Sequence, residues 1–228
     1  MNGRGSWTNF SAARLVASIF GALAGVGGLT HGIGEMLQGN IVPDSMFIDS
    51  WIQGPIATHM AGDPAMTVVP NLLITGVLGS VVSLVTIIWA VGFVQRKHGG
   101  VVLILLCIAM FLVGGGFGSP IVGILAGIAG ILISAETPWW RRRLSGPVGR
   151  FLARAWPWLF GIAVLNGFFL FVGAIILVYA FGWGNEQLYL NSFFLAVVSV
   201  SFTVLAGIAY DLQSEKRVAV RSAEVRDG

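Results

Sequence analysis

The sequence has few charged residues and a single cysteine. Asp, Glu, Lys and Arg together make up 10% of its 228 residues, whereas soluble domains carry about a quarter. So few charged side chains could not cover the surface of a water-soluble fold of this size. Cys107 has no second cysteine to pair with, which excludes an intramolecular disulfide and a cysteine-rich metal cluster.

Motifs that would fix a reaction are also missing. The chain contains no phosphate-binding loop, no complete GxGxxG, no HExxH and no GxSxG. Nucleotide-driven transport by this chain alone and a serine-hydrolase elbow are therefore not expected. No motif in the sequence identifies a substrate.

Apolar residues, by contrast, are abundant. Hydrophobic residues make up 56% of the chain and the mean hydropathy is +0.85, values that predict an integral membrane protein. Each of six apolar stretches is long enough to cross a ~30 Å hydrocarbon core. They lie near 14–34, 67–94, 101–117, 119–135, 156–182 and 188–210. The predicted fold is an all-α bundle of six transmembrane helices, forming a single domain over residues 1–228.

Every lysine and arginine falls on one predicted side of the membrane. The 13 basic residues divide among the two tails and the loops after the second and fourth spans. Because cytoplasmic loops are enriched in Lys and Arg, both termini are predicted to be cytoplasmic, in the cell membrane. The charged residues on the predicted outer side are all acidic, namely Glu35, Asp44, Asp49, Asp63 and Glu186.

The inner segment 139–155 combines tryptophans with five arginines. Such a segment is expected to bind anionic lipid headgroups at the inner face, so the net charge of +3 does not indicate nucleic acid. Glycines spaced four residues apart, such as Gly21 and Gly25, predict close helix packing. That packing is expected mainly within the chain, although a homo-oligomer or a partner membrane protein stays open.

Two features of the topology stay open. The third and fourth spans form a tight hairpin through the glycine-rich turn 114–120, and this hairpin could re-enter the membrane instead of spanning it. Its length and apolar character favour spanning. The first apolar run could be a cleavable signal peptide ending near Ala24, but apolar residues continue beyond that point and favour an uncleaved helix.

Histidine and carboxylate residues occur as two pairs on the predicted outer side. His31 and Glu35 are four residues apart, and His59 and Asp63 have the same spacing at the end of the outer loop 36–66. If this loop folds back, the four side chains could bind zinc or another divalent ion. A bound metal could activate water for hydrolysis, with Glu35 or Asp63 as general base. The alternative is that these side chains are ordinary polar residues at helix ends and bind no ligand.

Uncharged polar residues lie near the middle of the last two predicted spans. Asn166 is in the fifth span, and Ser199, Ser201 and Thr203 are in the sixth. They could line a narrow path, or they could join helices by hydrogen bonds. No ionisable Asp, Glu, Lys, Arg or His must lie at the bilayer centre, which argues against an ion-coupled pump.

Three functions are compatible with these patterns. A small transporter or channel-like protein, or a component of one, is favoured because a glycine-rich bundle without a sizeable soluble domain is typical of transporters. A membrane-embedded enzyme with an outer-face metal or His/carboxylate site is the first alternative. A membrane scaffold that binds a partner protein is the second. Whether the protein is an enzyme is left undecided by the sequence.

Overall fold

The computed structural model describes residues 11–133, 144 and 146–227, with side chains through residue 217. The described chain is largely helical, with one pair of short strands. The helices are α1 (Ala12–Gln38), α2 (Gly54–His59), α3 (Leu72–Gly92), α4 (Gly99–Leu112), α5 (Gly118–Leu132), α6 (Pro147–Phe168), α7 (Ala174–Phe181) and α8 (Glu186–Asp227).

Four helical segments are long and apolar enough to cross a membrane. They are α1, α3, the run Pro147–Phe181 and the run Glu186–Arg217. The other two predicted spans correspond to α4 and α5, which have 14 and 15 residues. These lengths amount to about 21 and 22 Å, less than a ~30 Å hydrocarbon core. By length, the structure therefore supports four of the six predicted spans and indicates a membrane location.

The fifth predicted span begins earlier in the structure than the sequence suggested. Helix α6 starts at Pro147, where proline is favoured because its missing N–H needs no partner in the first helical turn. The second half of the predicted headgroup segment 139–155 is therefore part of this helix, whereas residues 139–143 lie outside the described residues. A π-helical turn at Phe169–Gly173 joins α6 to α7.

The α4–α5 hairpin reaches the end of the bundle where α1 ends and α3 begins. We name this the loop end. Val68 N donates to Leu112 O (3.0 Å) and Gly114 N donates to Met66 O (2.9 Å), so the hairpin tip pairs with the segment that precedes α3. The hairpin therefore runs between the same two ends of the bundle as α3.

The long loop at this end has its own secondary structure. Strand β1 (Phe47–Asp49) pairs antiparallel with β2 (Pro64–Met66), with Phe47 opposite Met66. The short helix α2 lies between them in sequence. This pairing folds the loop back towards the end of α1.

Small residues allow close contact between the helices. A Cβ added at Gly25 would lie 2.8 Å from Ser83 O of α3, and one at Gly32 would lie 2.8 Å from Gly76 O. The predicted glycine spacing therefore serves packing within the chain. Cys107 is fully buried in the apolar core beside Leu103 and Met110, as expected for a packing residue.

Candidate functional site

Five polar side chains form a continuous hydrogen-bonded cluster at the loop end, which we name the histidine cluster. Ser50 Oγ donates to Glu35 Oε1 (3.1 Å) and lies 2.9 Å from His31 Nδ1. On the other side of the imidazole, His31 Nε2 lies 3.2 Å from Asp63 Oδ2. Tyr189 donates its hydroxyl hydrogen to Asp63 Oδ1 (3.1 Å). The histidine thus connects two carboxyl groups.

Local folding explains how distant parts of the chain meet in this cluster. His31 and Glu35 lie one turn apart near the end of α1. Ser50 directly follows β1 and Asp63 directly precedes β2, so the strand pairing places them side by side, with Ser50 N donating to Asp63 O (3.3 Å). Tyr189 comes from the first turns of α8.

The backbone before β2 has an unusual conformation. Ala61, Gly62 and Asp63 all have positive φ, at 51°, 73° and 54°. For the two non-glycine residues this left-handed conformation costs about 1–2 kcal/mol each. Hydrogen bonds from Trp51 N to Gly62 O (2.9 Å) and from Asp63 N to Met60 O (3.1 Å) hold it in place. Such strain tends to occur where a side chain must be aimed at a site.

Most of the histidine cluster is shielded from solvent. Glu35 and Ser50 are fully buried, and His31 and Asp63 are 4% and 6% exposed. One oxygen of this network, Glu35 Oε2, is buried without a hydrogen-bond partner among the described residues. An unpaired buried carboxyl oxygen is costly, which makes Glu35 a candidate functional residue.

The glycines of the hairpin tip cover the cluster from one side. Gly114 and Gly116 have φ values of 86° and 76°, and a Cβ added to them would collide with Glu35 Oε2 and His31 Nε2 respectively. Sequence reasoning treated this segment only as a turn. The signal it overlooked is three successive glycines, which indicate that another group approaches the backbone closely.

A cleft opens beside the histidine cluster. The cleft is shallow: about 290 Å³ along its lining is free of protein atoms, and this space includes open solvent. The π-helical turn borders it through Leu170 and Phe171, and π-helical turns frequently occur at functional sites. The polar side chains that line this polar cleft are Thr30, His31, Asp63, Ser119 and Tyr189.

Three of the four predicted metal ligands belong to the histidine cluster. His31 contacts Asp63 directly, whereas Glu35 is connected to His31 through Ser50. His59 lies outside the cluster and is half-buried. It packs against Gly184, where an added Cβ would lie 2.5 Å from the Cβ of His59. Within the described ranges, no group of three or more His, Cys, Asp or Glu side chains is arranged to hold a metal ion. The zinc site stays a prediction.

The residues of the predicted polar path make hydrogen bonds to backbone carbonyls. Asn166 Nδ2 donates to Ser192 O (2.8 Å), which joins α6 to α8. In α8 the hydroxyls donate to carbonyls of the same helix: Ser199 to Ala196 O (3.3 Å), Ser201 to Val197 O (2.7 Å) and Thr203 to Ser199 O (2.7 Å). These are the bonds expected of helix-joining and self-bonding residues. The polar path stays a prediction.

Comparison with protein-family models, with characterised proteins and with solved structures gives no match to this chain. Its function therefore has to be inferred from its own residues. Those residues favour the loop end as the functional site, because polar side chains there bond to one another beside a cleft. In the middle of α6 and α8 the polar side chains bond to backbone carbonyls instead.

Proposed function

We propose that this chain is a multi-pass protein of the cell membrane with both termini in the cytoplasm. The loop end would then face outwards. The arginines and lysines of the described part of the chain support this orientation, because they lie near the ends of helices away from the loop end. The hairpin runs between the same two ends as α3, which supports six spans over a re-entrant loop.

We further propose that the histidine cluster is the acid–base site of a membrane-embedded enzyme at the outer face. One observation carries this proposal: hydrogen bonds and the 3.2 Å contact between His31 and Asp63 join Glu35, Ser50, His31, Asp63 and Tyr189 in one series, and three of these side chains line the polar cleft. Histidine is the side chain best suited to exchange protons near neutral pH.

The cluster can hold its proton in two ways. In the first, His31 is doubly protonated, with Nδ1–H donating to Ser50 Oγ and Nε2–H donating to Asp63, while Ser50 donates to Glu35. In the second, Glu35 carries the proton and donates to Ser50, which donates to Nδ1 of a neutral His31. Both arrangements contain the same number of protons and use the same heavy atoms. Interchange between them therefore moves one proton from Glu35 to His31.

This interchange gives the five residues distinct roles. His31 and Asp63 line the polar cleft, so they are the groups that would exchange a proton with a substrate. Tyr189 orients Asp63 through its hydroxyl group. Ser50 and Glu35 act from behind the imidazole, where Glu35 accepts a proton from His31 through Ser50 or returns it.

Infrared difference spectroscopy of the protein in lipid bilayers tests the shared proton. We expect the carboxyl band of Glu35, identified with Glu35→Gln, to change over the same pH interval as the imidazole bands of His31. Ser50→Ala removes the connecting hydroxyl and should separate the two intervals. Ser45→Ala, an exposed serine of the same loop, is the matched control and should leave the spectra unchanged. No effect of Ser50→Ala would overturn the proposal.

Transport is the second candidate, favoured by the π-helical turn Phe169–Gly173, which directly follows the helix that carries Asn166. Irregular helix segments are where transporters gather ligand-binding groups. Substrate uptake into proteoliposomes would be lowered by Asn166→Leu if the polar path operates, whereas an outer-face enzyme would tolerate this change. His31→Ala should leave uptake by a transporter unchanged and impair an outer-face enzyme.

A further inference from the structure

A second cleft adjoins the polar one at the loop end. It lies between α7 and α8 and is lined by apolar side chains that include Leu177, Val178 and Leu188; about 250 Å³ along this lining is free of protein atoms, open solvent included. Met60 and Tyr189 line both clefts, so the two meet at these side chains. The site therefore has a polar part, which contains His31 and Asp63, and an adjoining apolar part between α7 and α8.

The apolar cleft is bordered by exposed apolar side chains at the turn between α7 and α8. Leu188 is 39% exposed and Trp183 is 51% exposed, while Val178 and Ala174 at its base are buried. A hydrocarbon chain could thus enter the apolar cleft from the membrane. Only a ligand with a hydrocarbon part would gain free energy from contact with this half of the site.

Charge restricts what can enter the polar cleft. The described residues of the loop end include no Lys or Arg, but they include Glu35, Asp44, Asp49, Asp63 and Glu186. The nearest cationic candidate, His31, already pairs with Asp63. An anionic head group would be repelled here, whereas a neutral hydrogen-bond donor or a cation would be attracted.

From these observations we infer that the site binds a membrane amphiphile. Its small, neutral or positively charged head group lies in the polar cleft beside His31 and Asp63, and the first part of its hydrocarbon chain lies in the apolar cleft between α7 and α8. This arrangement matches the usual build of ligand sites, which are largely apolar with a few convergent polar groups. The inference rests on the proposed function, since the head group is what the histidine cluster would act on.

Photo-crosslinking with a dodecylamine that carries a diazirine in its chain tests this inference in lipid nanodiscs. We expect crosslinks in peptides covering residues 169–189. Unlabelled dodecylamine should compete for them, whereas ethylamine, which lacks the chain, and dodecyl phosphate, which has an anionic head, should not.

Two matched variants test the apolar cleft itself. Leu188→Trp fills the cleft and should lower competable labelling by about fourfold or more, the effect of displacing one buried methylene group. Leu190→Trp makes the same change at a residue that is equally exposed, at 40%, but is not among the residues lining the cleft. The competable labelling of Leu190→Trp should equal that of the wild type.

The outcomes separate this inference from the proposed function. The proposed binding of an amphiphile would be overturned by labelling that is spread evenly over the apolar surface, that dodecyl phosphate competes equally well, or that is unchanged in Leu188→Trp. The acid–base site would then stand if Ser50→Ala still changed the infrared spectra. Labelling that follows the expected pattern while the infrared test fails would support the binding and overturn the acid–base role.

Discussion

Gly116 and Gly39 both have a positive φ but have different surroundings. Their φ values are 76° and 85°, yet a Cβ at Gly116 would collide with His31, whereas a Cβ at Gly39 would meet nothing within 4 Å. A side chain is disfavoured by φ at both positions, but only at Gly116 would it also meet a neighbouring side chain. This difference allows the contact between the hairpin tip and the histidine cluster to be measured.

Gly116→Ala should lower the free energy of unfolding more than Gly39→Ala, by about 1–3 kcal/mol, because only the first adds an overpacked methyl group. Unfolding in one detergent, followed by circular dichroism, gives both values. The infrared bands of His31 should also change in Gly116→Ala alone. Equal losses of stability would contradict the contact between the hairpin tip and His31.

The members of the histidine cluster differ in how far the sequence could reveal them. The spacing of His31 and Glu35 identified a shared helix face, and both side chains are in the cluster. The same spacing selected His59 with Asp63, but α2 ends at His59 and the following residues have left-handed backbone, so helical spacing does not apply there. Ser50 and Tyr189 are brought in only by tertiary structure.

At the scale of elements, the start of α1 is held by a residue from the far end of the chain. Asp211 of α8 accepts hydrogen bonds from Ala12 N (2.7 Å), Ala13 N (3.0 Å) and the Ser11 hydroxyl (3.0 Å). A carboxylate at a helix N-terminus satisfies free N–H groups and complements the helix dipole. No local pattern could predict this cap, because its partners are about 200 residues apart.

Asp211→Ala should lower the free energy of unfolding by about 1–2 kcal/mol, since it removes three hydrogen bonds to the end of α1. Hydrogen exchange should become faster at the amides of Ala12 and Ala13. Asp44→Ala, which changes an exposed carboxylate in the loop, is the control and should alter neither quantity. Unchanged exchange at the two amides would show that Asp211 is not the cap.

Element boundaries show why the sequence extended the third predicted span into the hairpin tip. Windows of about 19 residues average apolar helix with apolar turn, so the prediction 101–117 continued beyond Leu112, where α4 ends. The last two residues of the prediction 119–135 lie outside the described residues. The π-helical turn was equally hidden, because Phe169–Gly173 is as apolar as the helices on either side. Hydropathy therefore detects the helices but misses the irregular segments that border the polar cleft.

At the scale of the whole molecule, contacts between the hairpin tip and the long loop make topology testable at two linked positions. Phe47 of β1 stacks on Phe117 of the tip, with ring centroids 6.4 Å apart. Lys97 lies in the exposed turn between α3 and α4. Positions 47 and 117 must therefore face the same side of the membrane, and position 97 should face the other.

Labelling of intact cells with a membrane-impermeant maleimide measures this arrangement. In a Cys107→Ala background, Phe47→Cys and Phe117→Cys should react from outside, whereas Lys97→Cys should react only after the membrane is permeabilised. Reaction of position 97 alone would reverse the orientation and move the histidine cluster to the cytoplasmic face. Reaction of position 47 without position 117 would support a re-entrant hairpin, and the tip could not then cover His31 as it does here. The outer-face enzyme thus depends on positions 47 and 117 reacting together.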